Sequence, residues 1–287
     1  TIECDGAAVG DSAVIGGKTY YVVDRDALIS IVENGDFTYD PPGSATSATV
    51  TPTDLSCVCT SNITDMSSIF KRDGVYGKSN FNTDINNWDV SNVTSMQSMF
   101  EEARNFDNPL NYWDVRLVEN MQAMFKNANS FNRSLNDWDV SNVKNLAAMF
   151  QSASVFNKSL DNWVLSPQLT NLNYMFWEAT RFNQPLVNWV TTNIKSLQGT
   201  FRKARDFNQD LSTWDVSEVT RMDKLFYGAA SFNGDIDNWQ VQKVIRLSET
   251  FRDAISFNRN ISGWQTLKLQ YMNWTFANAE SFNVDIN

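Results

Sequence analysis

The chain contains no histidine. That absence removes the imidazole general base, the commonest zinc ligand, and the Ser/His and Cys/His pairs of nucleophilic catalysis. Cations are in deficit as well: 23 Lys and Arg against 33 Asp and Glu give a formal net charge of −10. Nucleic-acid affinity rests on cations that neutralise phosphates, and a grip on anionic lipid rests on clustered Lys and Arg, so neither partner fits. No apolar run reaches the about 18 residues of a membrane-spanning helix, which predicts no membrane insertion. There is no glycine-rich phosphate loop and no convergent carboxylate pair. These absences predict a protein that is not an enzyme, with no catalytic residues, no metal ligands and no cofactor. The sequence starts at Thr1 without a signal-peptide apolar core, which reads as a processed secretory protein or a fragment.

Cysteine is scarce: Cys4, Cys57 and Cys59 are the three. An odd count defines no disulfide framework. Two states stay open, one bridge from Cys4 to Cys57 or Cys59, or three reduced thiols. A single C-x-C without a second pair does not make a metal site.

What the chain has in quantity is aromatic residues, 19 Phe and 10 Trp within 287 residues, and they recur in register. Phe81, Phe106, Phe131, Phe156, Phe182, Phe207, Phe232, Phe257 and Phe282 are 25 residues apart, with one step of 26. Trp88 to Trp264, Phe100 to Phe276 and Ala103 to Ala279 follow as parallel columns. The unit reads F-N-x-x-[LI]-x-x-W-D-V-S-x-V-x-x-[ML]-x-x-[MLT]-F-x-x-A, in eight full copies and the start of a ninth. Repetition at this period is the signature of a solenoid.

The spacing of Val93, Met96, Met99, Phe100 and Ala103 predicts a short helix, entered through Ser91 or Asn92. The half around "DINNWDV" predicts a short strand stacked in parallel with its neighbours. The expected fold is therefore an α/β solenoid: a leucine-rich-repeat-like right-handed coil with one short parallel strand and one short helix per repeat. The Asn after each leading Phe, from Asn82 to Asn283 with Asp107 as the exception, predicts a ladder tying coil to coil.

The ends differ. "AVIGGKTYYVVD" reads as a hairpin, "DRDALISIVENGD" as a helix stopped by Gly35, and "PPGSATSATVTPTD" as a loop. "CTSNITDMSSIF" matches the second half of a repeat. Residues 1–70 are thus expected to form an N-terminal α+β cap including a partial repeat, and residues 71–287 the solenoid. No cap follows the ninth repeat's start, so the open end offers a route to head-to-tail assembly.

"FNTDINNWDVSNVTSMQSMF" and its copies resemble the repeat of the BspA-type leucine-rich-repeat surface proteins. The resemblance covers about residues 55–287, with a weaker match over Thr19–Gly35. It implies a secreted or surface-exposed adhesin-like solenoid, extracellular or at the cell surface, and no catalytic residues. The WDV column is broken at Trp163, Trp189, Trp239 and Trp264, so no unbroken Asp ladder is available.

Repetition separates architecture from function. The Phe, Trp and Met columns read as core, and Asp89, Asp114, Asp139 and Asp215 as turn or helix-cap residues. The outward positions of the strand half are the candidate contact face: Thr83, Asp84, Asn86 and Asn87 in the first repeat, and Asn111 and Tyr112 in the second. Asn136, Asp137, Asp161, Asn162, Asp210, Thr213, Asp237 and Asn238 continue it. Asn62, Asn260 and Asn273 sit in candidate N-x-[ST] acceptor sequences, Asn62 and Asn260 being the more accessible, whereas Asn132 and Asn157 are expected to be buried in the ladder. The functional expectation is a non-enzymatic repeat protein that binds a protein or glycan on another surface. The alternative is a filament subunit whose partner is a copy of itself.

Overall fold

Gly16 and Gly17, with φ of 59° and 80°, turn the chain between β1 (Ser12–Ile15) and β2 (Lys18–Val22). This places the expected hairpin in antiparallel register, Ile15 opposite Lys18. The computed structural model describes residues 4, 6–34, 37–39, 48–50, 55–71 and 81–286. Helix α1 (Arg25–Asn34) begins where the Asp24 carboxylate accepts the Ala27 N–H at 2.8 Å, an N-cap. Gly35, the expected stop signal, lies outside the described residues. The helix buries Ala27, Leu28, Ile31 and Val32 in the same core as Ile63, Met66 and Phe70.

Strands β3 (Phe37–Tyr39) and β4 (Ala48–Val50) pair antiparallel. The second falls within the stretch expected to be a loop, whose remaining residues lie outside the described ones. A single 3-10 turn, Leu55–Cys57, leads into β5 (Val58–Cys59), which runs parallel to β2 and completes the order β1-β2-β5. Cys4 and Cys59 form a disulfide, and Cys57 is buried outside it. On the chain-entropy account, closing a loop of this span stabilises the fold by about 4 kcal/mol.

The repeats build a solenoid, but neither half has the expected secondary structure. No α-helix forms over 93–103, and "DINNWDV" is a turn centred on Asn86 and Asn87 rather than a strand. Parallel pairing occurs in the other half, as single-residue bridges running Asp65, Ser95, Asn120, Asn145 and then Asn171, Ser196, Arg221, Arg246, Tyr271. The interruption falls where the 26-residue step inserts one extra residue before Pro167.

The hydrogen bonds explain why the helix is lost. Met96, Ser98, Phe100 and Glu102 donate their N–H groups to the carbonyls of Asn120, Gln122, Met124 and Lys126 in the next coil. The intervening Met99, Glu101 and Ala103 donate three residues back, to Met96, Ser98 and Phe100. Alternate N–H groups thus close β-turns and bind the neighbouring coil, so none is left for i→i−4 bonding. Turns advance in threes, which produces the apolar spacing that also fits a helix.

This backbone places two residues per coil at positive φ, and most are not glycine. Ser98, Ala123, Ala148, Tyr174, Lys224, Glu249 and Trp274 form one column, with Gly199 in the same row; Glu102, Asn127, Ser152, Glu178, Lys203, Asp253 and Asn278 form the other, with Gly228. Each non-glycine residue there costs roughly 1–2 kcal/mol, offset by inter-coil bonding and core burial.

The core is a stack of aromatic rings. Phe100 and Phe106 lie 4.3 Å apart within a coil, and Phe106, Phe131 and Phe156 succeed one another at 5.9 and 6.0 Å. Each repeat's Trp is also a fastener: the indole Nε1–H of Trp113, Trp138 and Trp163 donates to the carbonyl of Ile85, Leu110 and Leu135 in the preceding coil. The half repeat before the first full unit joins in register, Met66, Ser68 and Phe70 donating to Ser95, Gln97 and Met99. At the last described coil Leu267, Met272 and Trp274 are exposed.

The Asn ladder is formed. Asn132 Oδ1 accepts the backbone N–H of Asn157, Asn157 Oδ1 that of Asn183, and the series continues to Asn283. Asp107 fits because only an acceptor is needed, and it receives the N–H of Asn132 at 2.9 Å. The ladder is not deeply buried: Asn132 and Asn157 are half-buried, and Asn208 is exposed.

Candidate contact surface

Because "DINNWDV" is a turn, the candidate face is a stack of turns, and part of it is architectural. Asn86 is buried; its Nδ2 donates to Asn111 Oδ1 at 3.1 Å, and its Oδ1 accepts the N–H of Tyr112. Asn136 accepts the N–H of Asn162, and Asp161 takes both the backbone and side-chain N–H of Asn188 at 3.0 and 2.8 Å. Asn87 donates to the carbonyl of Ser56, Thr213 to that of Val187, and Asn238 to that of Ser212. These residues form a second inter-coil ladder beside the first.

Asp84 and Asp210 close short turns by accepting the N–H two residues on, from Asn86 and Ser212. Asp89, Asp114, Asp139 and Asp215 do the same for residues 91, 116, 141 and 217, so they are turn residues and not helix caps. A hydrogen-bonded Arg116 holds the Asp114 carboxyl below its ordinary range, and hydrogen bonds from Ser141 do so for Asp139. Burial pushes Asp237 up, and the facing Asp235 adds to it.

The outward residues that remain include Tyr112, 70% exposed, with Asp137, Asn162 and the outer oxygen of Asp84, and on a distant coil Asp237. The first four border two hollows. One of about 440 Å³ lies among Asn136, Asp137, Asp139, Asn162 and Val164. The larger, about 590 Å³, is a groove between the hairpin and the first coils. Its near wall is Lys18 and Tyr20 of β2 with Ser56; its far wall is Thr83, Asp84, Asn86 and Asn87, closed by Tyr112. The structure therefore gathers five of the candidate residues in one groove and leaves Asp210, Thr213, Asp237 and Asn238 on distant coils. Lys18 and Tyr20 carry no repeat signal. Only the parallel pairing of β2 with β5 brings them here.

A second feature escapes the unit's consensus. Arg202 lies 4.5 Å from the ring of Trp177 and 5.1 Å from Tyr227, and Arg252 lies 5.5 Å from both Tyr227 and Trp274. In earlier coils the same column holds Glu101 between Lys71 and Lys126, at 3.2 and 2.8 Å. Aligning residue 101 with 126, 151, 177, 202, 227 and 252 reveals this change from ion pairs to cation–π contacts.

Asn62, Asn260 and Asn273 are exposed; the Asn62 amide also donates to the carbonyl of Ala7. Among the described residues no group of three or more Cys, Asp or Glu is placed to hold a metal ion, and no helix is long and apolar enough to cross a membrane.

The family described as "Mycoplasma protein of unknown function, DUF285" matches residues 44–163, 133–222, 156–248 and 195–287. The matches overlap and together span 44–287. No curated protein matches the chain.

Proposed function

Since the chain belongs to the DUF285 family, the BspA-like surface repeats, we propose that it is a non-enzymatic extracellular repeat protein acting in adhesion or protein–protein contact. The contact is made by the polar, turn-built side of the solenoid around Tyr112, Asp137 and Asn162. One observation carries the reading. Nearly every recurring side chain is engaged in core or ladder, whereas this side holds exposed groups that vary from coil to coil, Tyr112, Asp137 and Asn162, beside two hollows. Solenoids bind through such extended surfaces. The Cys4–Cys59 bridge suits an oxidising compartment, in keeping with display outside the cell.

The test is an array of glycans and extracellular-matrix proteins probed with the purified chain. Reproducible hits that weaken in a Tyr112→Ala, Asp137→Ala, Asn162→Ala triple variant are expected. An array silent for a folded protein, or hits indifferent to the triple variant, overturns the proposal.

A further inference from the structure

We propose that the groove between β2 and the first two coils is a saccharide-binding site for an uncharged sugar chain; this rests on the contact function above and names its ligand class. The groove is built from two independent parts of the fold, and four of the polar groups lining it have no hydrogen-bond or ion-pair partner among the described residues. Asp84 closes its turn with Oδ1 alone, at 3.0 Å from the Asn86 nitrogen. Its Oδ2 has no partner among the described residues. Neither the Lys18 ammonium nor the Tyr20 and Tyr112 hydroxyls hydrogen-bond or ion-pair within the described residues.

The chemistry of these groups selects the ligand. A sugar hydroxyl donates and accepts together, so it needs an acceptor such as Asp84 and a donor such as Lys18 around one ring. The C–H face of the ring needs an aromatic plane, which an exposed Tyr112 and a half-buried Tyr20 offer. Among the described residues that line it, one cation and one anion cancel, so these groups favour no strongly charged ligand. Among the described residues no aliphatic side chain lines it to take a peptide side chain, and its volume lies within the roughly 300–1,000 Å³ of small-ligand sites.

The experiment is saturation-transfer NMR on the full chain with lactose, chitotriose, maltotriose and cellotriose. Transfer to the ring protons of at least one sugar is expected. Tyr112→Ala is expected to weaken binding roughly tenfold. Asp84→Asn keeps the turn-closing oxygen and removes the charge, and is expected to weaken it roughly ten- to hundredfold. Unchanged melting temperatures in both variants establish that the fold is intact. Transfer undiminished in both variants overturns the assignment to this groove. No transfer to any of the four sugars overturns the saccharide reading. If the array still returns protein hits, the contact function survives that failure; if the array is silent too, both fall.

Discussion

The indole Nε1–H of Trp138 donates to the carbonyl of Leu110 at 3.1 Å, and that same carbonyl closes its own turn by accepting the N–H of Trp113. One buried oxygen thus joins a turn to the coil that follows it. The relation recurs along the column from Trp113 to Trp264, which is why that column is Trp and not Phe. Replacing Trp138 by Phe deletes the inter-coil bond and leaves a smaller ring in a packed stack. A loss of roughly 1–3 kcal/mol in urea unfolding is expected. Trp264→Phe, on a half-buried residue with a 3.3 Å bond, is expected to cost less. Equal costs at both positions contradict the fastener role.

The left-handed residues give a test that separates turns from helix. Ala148 has a φ of 57° and is half-buried. In a helix, Ala→Gly costs about 1 kcal/mol. In a turn at positive φ, glycine relieves strain, so Ala148→Gly is expected to stabilise by about 0.5–1 kcal/mol. The reverse change at Gly199 is expected to destabilise, since a Cβ there falls 2.7 Å from the Tyr174 ring. A destabilised Ala148→Gly variant contradicts the turn geometry.

These two cases show how much of the fold was legible. Columns of Phe, Trp, Met and Ala announced a solenoid and its core, because identical side chains at fixed offsets must stack. Their three- and four-residue spacing did not announce the backbone, since β-turns advancing by three bury the same positions as a helix. What decides is the destination of alternate N–H groups such as those of Met96 and Ser98, and that is a property of the neighbouring coil. The candidate surface was half legible for the same reason. Tyr112 stands out by not repeating and Asp84 lies in a column that varies, whereas Asn86 and Asp161 are claimed by the ladder, and Lys18 and Tyr20 arrive through tertiary pairing.

The Asn ladder requires an acceptor and nothing more, as Asp107 shows. Asn157 Oδ1 receives the N–H of Asn183 at 3.0 Å and the amide of Gln184 at 3.0 Å. Asn157→Asp is therefore expected to change stability by less than about 0.5 kcal/mol. Asn157→Leu leaves a half-buried N–H unpaired and is expected to cost about 1–2 kcal/mol. Thermal melts of the two variants check the contrast; equal losses mean that the carboxamide packing, not its acceptor, is what matters.

The ion-pair end of the cation column makes stability depend on pH. Burial pushes the Glu101 carboxyl up, but hydrogen bonds from Lys126, Ser98 and Lys71 outweigh it and hold the group below its ordinary value of 4.5. A carboxyl depressed in the folded state contributes stability at pH above its unfolded value, and that contribution is lost as pH falls through the folded value. Glu178, hydrogen-bonded by Lys203, behaves in the same direction. At pH 7 Glu101→Gln is expected to be less stable than the natural chain by roughly 1–3 kcal/mol, since charged hydrogen bonds become neutral ones and two lysines lose their counter-charge. The gap is expected to narrow as both proteins are taken to acid, because the natural Glu101 is then protonated too. Urea midpoints measured at neutral and at acid pH decide the matter. A gap that stays constant across that range assigns the cost to packing and removes Glu101 from the acid sensitivity of the fold.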